Sequence, residues 1–319
     1  MKRIAVSGVG ALIGYGIAKS LRLCGDPLEI IGLDTYPMSV GKRWCDFFEI
    51  VKPVDDPYYL ENLYSILKKY NVDLFCPGIP QDVKKLYHNF HLVSSFPSKI
   101  VLNKYNVLDL SFDKWNTYCT LKENNFDTIP TILTETFKEL SNNFGVPFLL
   151  KSRFGEASKG IYKIYDESDF YYYSKKLGKN SLFQKIIGND FEEYTVGTFG
   201  LGDGTTNGMI SFKRRLNYDG WTKEAFVIKN KILEDTVYKL VELLHPIGPT
   251  NFQFRFENGK YLLLEINARF SSSNSIRTAF GYNESKMCVD FYLHNKIPET
   301  VAIKNGYAVR YVEDFIVES

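Results

Sequence analysis

The chain has 319 residues, of which 45% are hydrophobic and 24% charged. This composition is typical of a globular protein with more than one core and excludes a largely disordered chain. The formal net charge is only +2, and acids and bases are mixed along the chain, so nucleic acid is not expected as a partner. No apolar run approaches the roughly 18 residues that span a bilayer, so no membrane association is expected either.

The five cysteines are scattered and form no C-x-x-C pair, which is typical of reduced thiols in a cytosolic protein. The first residues, Met-Lys-Arg followed by an apolar stretch, superficially resemble a secretory signal. However, that stretch contains four glycines and continues into a folded pattern. We therefore expect a cytoplasmic protein.

Strands alternate with helices in the first hundred residues. Strands are predicted at 3–7, 29–33 and 72–76, and helices at 11–23 and 57–69. Asp56 is placed to cap the second helix. Alternation of this kind predicts a parallel sheet covered by helices on both faces, in a Rossmann-like lobe.

The rest of the chain is predicted to mix helices with longer strands. Helices are predicted at 104–125, 168–177 and 235–244, and strands at 146–150, 182–186 and 194–199. The fold class expected from the whole pattern is α/β (α+β).

The strongest motif is a predicted hairpin near the carboxyl terminus. Its strands cover 251–256 and 261–269, and Glu257-Asn258-Gly259-Lys260 forms the turn. Alternation places Gln253 on the same face as Asn251 and Arg255.

In the second strand, alternation places Glu265 on one face with Leu263, Asn267 and Arg269. Burying a carboxylate, an amide and a guanidinium unpaired would cost several kcal/mol, so this face is not a plain core. Carboxylate and amide oxygens suit Mg²⁺, which also takes phosphate ligands. Arg269 is then placed to neutralise charge on a transferred phosphoryl group.

Gln253 followed by Leu264-Glu265-Ile266-Asn267-Ala268-Arg269 resembles the metal-binding signature of the ATP-grasp superfamily. The pattern is closest to that of the carbamoyl-phosphate synthetase large subunit and its stand-alone relatives. Gln253 departs from the acid that is common at the first position, which leaves Glu265 as the only carboxylate of the set.

The resemblance implies ATP and Mg²⁺, with Mn²⁺ as the alternative ion. It implies Gln253, Glu265 and Asn267 as metal ligands and Arg269 as a catalytic residue. It also implies a two-lobed ATP-grasp fold behind the Rossmann-like lobe. The expected domains are 1–105, the Rossmann-like lobe; 106–187, a small ATP-grasp subdomain; and 188–319, the subdomain with the metal site.

Upstream residues follow the same pattern in the same order. Lys114 corresponds to the family's first nucleotide-binding cation, and Lys151 to the lysine that contacts the ATP phosphates and assists catalysis. A glycine-rich loop follows, and its backbone N–H groups are suited to surround an anion. The loop residues assigned to phosphate binding are Gly155, Ser158, Lys159 and Gly160.

By the same resemblance, a hinge between the lobes binds the nucleoside. The residues assigned to the adenine are Gln184, Lys185, Ile186 and Ile187. The ribose is assigned to Glu192 or Glu193, and the sequence does not separate these two residues.

Two arginines are further candidates. Arg215 lies in a basic run before a G-x-T turn and is assigned to phosphate or substrate, as a catalytic residue. Arg277 is a candidate for binding a substrate carboxylate.

A second glycine-rich segment lies at the front of the chain. Gly8, Gly10 and Gly14 follow a strand and open a helix, and Asp34 ends the next strand. The third glycine is one residue late for the dinucleotide fingerprint. NAD binding, a tight structural turn and a wall of the substrate site all remain open.

The expected function is an ATP-dependent ligase that joins a small-molecule carboxylate to an amine, or to another nucleophile, through an acyl phosphate. One alternative is an NAD(P)-dependent oxidoreductase that uses the front loop. Another is a non-catalytic ATP-binding protein of the same fold. The expected partners are small molecules, and a homodimer is one arrangement that we anticipate.

Overall fold

The computed structural model describes residues 1–155, 160–189, 192–218, 220–300 and 302–317. Its front lobe contains β1 (Lys2–Ser7), α1 (Leu12–Arg22), β2 (Leu28–Asp34), β3 (Phe47–Ile50), α2 (Tyr59–Lys69), β4 (Leu74–Cys76), α3 (Pro80–His88) and β5 (Lys99–Ile100). These strands pair in parallel in the order β3-β2-β1-β4-β5. The parallel sheet predicted from the sequence is therefore confirmed.

Two helical predictions in the first half of the chain need correction. The helix predicted at 57–69 begins at Tyr59, and Asp56 instead accepts the N–H of Tyr58 in the preceding turn. The stretch predicted as one helix at 104–125 is two, α4 (Tyr105–Phe112) and α5 (Lys114–Glu123). The helix is interrupted because the side chain of Asp113 accepts the N–H groups of the first turn of α5 and so starts a new helix.

A second sheet contains only antiparallel pairs. It follows the order β6-β9-β7-β8. Its elements are β6 (Thr131–Ile132), α6 (Phe137–Phe144), β7 (Phe148–Ser152), β8 (Ile161–Ile164), α7 (Glu167–Leu177) and β9 (Ser181–Gln184). The two helices and one face of this sheet share a small apolar core around Phe148 and Leu150.

The third sheet is the largest and is also antiparallel, in the order β14-β13-β10-β11-β12-β15. Its elements are β10 (Glu193–Leu201), β11 (Thr206–Leu216), β12 (Thr222–Ile228), α8 (Lys231–Leu244), β13 (Ile247–Glu257), β14 (Lys260–Asn267), α9 (Asn274–Ala279), α10 (Glu284–Cys288) and β15 (Tyr307–Val309). Helix α8 begins earlier than the predicted 235 because the side chain of Asn230 caps it. Apolar residues of α8 pack on one face of the sheet. The other face packs on the front lobe through apolar residues such as Phe199 and Phe212, and it presents polar side chains to the cleft at the hairpin.

Short helical segments lie at Val40–Trp44, Phe90–Ser95 and Val289–Leu293. The predicted α/β (α+β) class is confirmed. The domain boundaries at 105 and 187 stay predictions. Among the described residues, no helix is both long and apolar enough to cross a bilayer.

We expect Leu240→Ala to destabilise the third sheet, because Leu240 is fully buried between α8 and the strands. Truncation of such a side chain costs about 2 to 5 kcal/mol through lost burial and a residual cavity. Thermal unfolding followed by circular dichroism measures the effect. The matched control is Lys239→Ala at the neighbouring, exposed position, which should change stability by less than about 0.5 kcal/mol. Equal effects of the two substitutions would contradict the packing described here.

Candidate active site

A cleft of about 530 Å³ lies between the second and third sheets and reaches the front lobe. Its volume is in the range usual for small-molecule and cofactor sites. The cleft brings together most of the residues that the sequence predicts for a single site. These are Lys114, Lys151, Gly155, Gln184, Lys185, Ile186, Ile187, Glu193, Gln253, Glu265, Asn267 and Arg269.

The pairing of β13 with β14 arranges the predicted metal ligands. Gln253 lies directly opposite Glu265, and Asn251 lies directly opposite Asn267. All four side chains line the cleft, and the opposite face of the hairpin packs on α8. The polar face predicted from alternation in the first strand is therefore present.

Strict alternation fails in the second strand. A β-bulge shifts the register between Gln253 and Phe254, so that Phe254 pairs with Leu263. Leu263 packs in the core beneath α8, whereas Leu264 and Glu265 both line the cleft. The prediction that Leu263 shares a face with Glu265 is wrong, because the extra residue of a bulge reverses the alternation.

The oxygen donors at the hairpin suit Mg²⁺ only as part of a larger set. Glu265 supplies a carboxylate, Gln253 an amide, and Asn267 an amide whose Oδ1 already accepts from Arg269 Nη2 at 2.8 Å. Among the described residues, no group of three or more His, Cys, Asp or Glu side chains is placed to hold a metal. Mg²⁺ commonly binds through one or two carboxylates together with phosphates and waters, and the donors present fit that mode.

Lys151 lies near the end of β7 and faces into the cleft. It is only 5% exposed, and its Nζ donates to Gln184 Oε1 at 2.6 Å. Burial, followed by the charge of nearby Lys114, lowers the pKa of Lys151 from 10.5 to about 8. A buried ammonium group whose hydrogen-bond acceptor is a neutral amide favours an anionic ligand.

Lys114 starts α5 and reaches the loop that joins β7 to β8. Its Nζ donates to the carbonyl oxygen of Gly155, which also lines the cleft. Gly160 closes the loop with a φ of +70°, a conformation that favours glycine. Ser158 and Lys159, which the sequence assigns to phosphate binding, lie outside the described residues.

The hinge segment follows β9 along one side of the cleft. Gln184 Nε2 donates to Thr131 at 3.0 Å, and the backbone N–H of Lys185 donates to the carbonyl oxygen of Pro130 at 3.0 Å. Ile186 and Ile187 also line the cleft. The backbone donor at Lys185 is therefore occupied by the protein itself.

The structure separates the two glutamates that the sequence leaves unresolved. Glu193 is buried in the cleft, whereas Glu192 lies outside its lining and accepts hydrogen bonds from Lys213 and from the Tyr194 hydroxyl. These hydrogen bonds lower the pKa of Glu192 despite its partial desolvation.

Glu193 forms the centre of a row of charges across three strands. It is paired in register with Arg214 on β11 and with Arg255 on β13. Its Oε1 lies 2.7 Å from Arg214 Nη2, and its Oε2 lies 3.0 Å from Arg255 Nη2. The carboxylate therefore holds two cleft arginines in fixed orientations.

The structure does not bring Arg215 into the cleft. Its Nη1 lies 3.6 Å from Glu224 Oε2, and about half of its side chain is exposed. Arg214 is buried and lines the cleft instead. Sequence reasoning missed Arg214 because neighbouring residues on a strand face opposite sides, and the Lys213-Arg214-Arg215 run alone does not show which side faces the cleft.

Arg269 and Arg277 have different surroundings. Arg269 lines the cleft, and its Nη1 donates to the Phe270 carbonyl oxygen at 2.9 Å. Arg277 is fully buried behind the cleft, where it pairs with Glu284 at 2.9 Å and donates to Asn251 Oδ1. Its predicted role in binding a substrate carboxylate does not fit this position, because it supports Asn251 from behind.

The front glycine-rich loop is held by its own neighbours. The N–H of Gly10 donates to Asp34 Oδ2 at 2.6 Å, and Gly14 packs so closely on the backbone of Gly8 that a Cβ atom would collide. These contacts favour the tight-turn interpretation, because a loop N–H suited to a dinucleotide phosphate is already used. Ala11, at the end of the loop, lines the cleft.

Solved structures share this architecture. One is the biotin carboxylase domain of 2-oxoglutarate carboxylase from Hydrogenobacter thermophilus, solved with MgADP, ADP and bicarbonate. It superposes with a TM-score of 0.76 and 15% sequence identity, over 96% of this chain and 73% of its own length. The N5-carboxyaminoimidazole synthetase of Staphylococcus aureus with ADP has a TM-score of 0.72 and 18% identity, over 95% and 80%. The L-amino acid ligase of Bacillus licheniformis has a TM-score of 0.68 and 13% identity, over 92% and 74%.

The chain therefore has the ATP-grasp fold that these structures share. Residues 190–315 match a family described as "ATP-grasp in the biosynthetic pathway with Ter operon". No curated protein matches the sequence. The more specific resemblance to carbamoyl-phosphate synthetase stays a prediction.

The lowered pKa of Lys151 predicts a measurable linkage between pH and stability. Between about pH 8 and 10.5 the unfolded chain binds this proton and the folded chain does not, so the Lys151 contribution to stability rises with pH. Lys151→Met removes this contribution. The free energy of unfolding of the variant, relative to that of the parent, should therefore fall as the pH rises, by at most about 1.4 kcal/mol per pH unit.

Chemical unfolding from pH 7 to 10, without added ligand, tests this expectation. Lys138→Met on the exposed face of α6 is the control and should follow the parent protein at every pH. A difference between Lys151→Met and the parent that stays constant with pH would show that the ammonium is not destabilised by burial.

Proposed function

We propose that the chain is an ATP- and Mg²⁺-dependent ligase that activates a small-molecule carboxylate by phosphorylation and joins it to an amine. The observation that carries this proposal is the arrangement of the cleft. The oxygen donors Gln253, Glu265 and Asn267 line its third-sheet side, while the buried cation Lys151 lies on the second-sheet side. A cation on one side of the cleft and oxygen ligands for a metal ion on the other suit the binding of a metal-bound polyphosphate.

The nucleotide would bind with its phosphates towards Lys151, Lys114 and the loop that contains Gly155 and Gly160. The adenine would lie along the hinge beside Ile186 and Ile187. These assignments are supported by the lining of the cleft, which includes Lys151, Lys114, Gly155, Ile186 and Ile187.

Glu193 is the better candidate for the ribose hydroxyls because it lines the cleft and Glu192 does not. A carboxylate offers about four acceptor positions. Arg214 Nε and Nη2 use two of them on Oε1, and Arg255 Nη2 uses one on Oε2. Counting only the contacts of the described residues, one position on Oε2 remains for a hydroxyl group.

Mg²⁺ bound by Glu265, Gln253 and Asn267 would neutralise charge on the phosphates. Arg269, which lines the cleft beside these ligands, would stabilise charge on the transferred phosphoryl group. Arg214 is the better placed candidate for the substrate-facing cation that the sequence assigns to Arg215, since Arg214 faces the cleft.

The reaction balances as two displacements. A carboxylate oxygen attacks the γ-phosphorus, the bond from that phosphorus to the bridging oxygen breaks, and ADP leaves. The amine nitrogen then attacks the acyl carbon, phosphate leaves, and the nitrogen loses a proton. Both steps depend on positioning and charge stabilisation, so no side-chain nucleophile is needed.

An NAD(P)-dependent oxidoreductase is the second candidate, and the front loop is its only support. That loop has its Gly10 N–H bound to Asp34, and the oxidoreductase leaves the polar hairpin without a role. A non-catalytic ATP-binding protein of the same fold would keep the nucleotide contacts but would release no ADP.

Thermal-shift titrations separate the first two candidates. We expect ATP with Mg²⁺ to raise the melting temperature, since a ligand that binds only the folded state stabilises it by about 2.7 kcal/mol at 100 times its dissociation constant. NAD⁺ and NADP⁺ at the same concentration should give no shift. Stabilisation by a dinucleotide alone would overturn the proposal.

Glu265→Gln tests the metal assignment and catalysis together. The substitution removes the only carboxylate of the predicted metal set while keeping its shape, so turnover should fall by at least about 100-fold with little change in melting temperature. Phosphate and ADP release, screened over amino acids and sugar acids with amine acceptors, provides the measurement. Glu242→Gln on the exposed side of α8 is the control.

Retained activity in Glu265→Gln would rule out the metal site. If the parent protein binds ATP–Mg²⁺ but releases no ADP with any carboxylate of the panel, the non-catalytic alternative gains support.

A further inference from the structure

Asn251 lies in the cleft but has no part in the function proposed above. It is fully buried and lines the cleft from β13, two residues before Gln253 and directly opposite Asn267. Its side-chain amide has one acceptor end, the oxygen, and one donor end, the NH₂ group. The two ends have different surroundings.

The oxygen end of this amide is held from behind the cleft. Asn251 Oδ1 accepts from Arg277 Nη2 and, at 2.6 Å, from the Thr195 hydroxyl. A guanidinium group has only donors, so the amide atom that it contacts must be the oxygen and not the nitrogen. The hydrogen-bond partners therefore fix which way the amide points.

The nitrogen end has no partner among the described residues. Asn251 Nδ2 is a buried atom that makes no hydrogen bond there. Most buried polar atoms of folded proteins have a partner, and a buried donor without one is unfavourable. Because the oxygen end faces Arg277 and the residue lines the cleft, Nδ2 is directed towards the cleft. An acceptor oxygen of a ligand would satisfy it.

Arg277 is itself held in place by a buried ion pair. Arg277 and Glu284 are at most 1% exposed, and Nη1 of the arginine lies 2.9 Å from Oε1 of the glutamate. Gly197 pairs in register with Asn251 on the neighbouring strand β10 and leaves room for the guanidinium, with which a Cβ atom would collide. The guanidinium therefore has one fixed position beneath Asn251.

The place of Asn251 along β13 indicates which part of a bound nucleotide it meets. Arg255 contacts Glu193, the candidate ribose residue. Gln253, at the candidate metal site, and Asn251 follow at every second residue towards the start of the strand, and both line the cleft. Such residues lie about 7 Å apart on one face of a strand. Seen from the ribose site, Asn251 lies beyond the metal site, where the proposed function requires the terminal phosphate.

We propose that Asn251 Nδ2 donates a hydrogen bond to an oxygen of the γ-phosphate, and that Arg277 is a positioning residue that orients this donor. The inference rests on the proposed function for the identity of the ligand. It rests on the orphaned, oriented amide for the contact. Asn251 is thus a donor to the phosphoryl group and not a further metal ligand, because Arg277 and Thr195 already use its oxygen.

Calorimetric titration of the full-length protein with two nucleotides tests the contact. The probes are MgADP and the magnesium complex of the non-hydrolysable ATP analogue with a β,γ-imido bridge, which adds the terminal phosphate. Asn251→Ala should weaken binding of the analogue by about tenfold or more, as expected for the loss of one hydrogen bond to a charged group. Binding of MgADP should show no matching loss.

Asn207→Ala is the matched control. Asn207 is also buried and its Nδ2 also has no partner among the described residues, but it lies outside the lining of the cleft. This variant should bind both nucleotides as the parent does. Asn251→Asp keeps the shape of the side chain and an acceptor for Arg277 but removes the N–H donor. It should show the same selective loss and gives a second measurement if Asn251→Ala fails to fold.

A double-mutant cycle tests the role of Arg277. Arg277→Met combined with Glu284→Met removes the ion pair without leaving a single buried charge. If Arg277 acts by orienting Asn251, this pair of substitutions should weaken binding of the analogue in the parent and have no further effect in Asn251→Ala. Equal losses for MgADP and the analogue, or a loss that adds to that of Asn251→Ala, would overturn the positioning role.

The ratio of the two dissociation constants decides the contact itself. A ratio that stays at the parent value in both Asn251 variants, whether through unchanged binding or through equal losses, would overturn the contact with the γ-phosphate while the proposed function stands. If the parent protein binds neither nucleotide, the proposed ligase fails, and this inference fails with it.

Discussion

The site depends on the antiparallel register between β13 and β14. This pairing places Gln253 opposite Glu265 and Asn251 opposite Asn267, and it turns all four towards the cleft. A slip of one residue would move these donors under α8, because the side chains of a strand alternate between its faces. The bulge in β14 is also required. It allows Leu263 to pack in the core while Glu265, two residues later, lines the cleft.

Charge is distributed unevenly around the cleft. Glu193 forms short ion pairs with both Arg214 and Arg255, so its single charge fixes the two arginines in place but neutralises only part of their charge. Lys151, by contrast, is buried against a neutral amide and has a lowered pKa. The cleft therefore contains an ion-paired group around Glu193 and, at Lys151, a buried ammonium group that an anionic ligand would stabilise.

The sequence predicted the elements whose local signals are strong. The parallel sheet of the front lobe, the hairpin with its Glu257–Lys260 turn, and a lysine at the end of β7 all follow from periodicity and turn residues. The predictions failed where a helix cap or a bulge interrupted the regular pattern. Asp113 divides one predicted helix into two, and the bulge in β14 reverses the predicted face of Leu263.

By itself, the sequence predicted the α/β (α+β) class, the parallel sheet of the front lobe and the chemical types of most residues that line the cleft, because these depend on spacing along the chain. The tertiary structure decided which of two neighbouring residues faces the cleft. Glu193 rather than Glu192, and Arg214 rather than Arg215, line it, because strand partners distant in sequence set the orientation of each side chain. Only the fold could show that Arg277 lies behind the site.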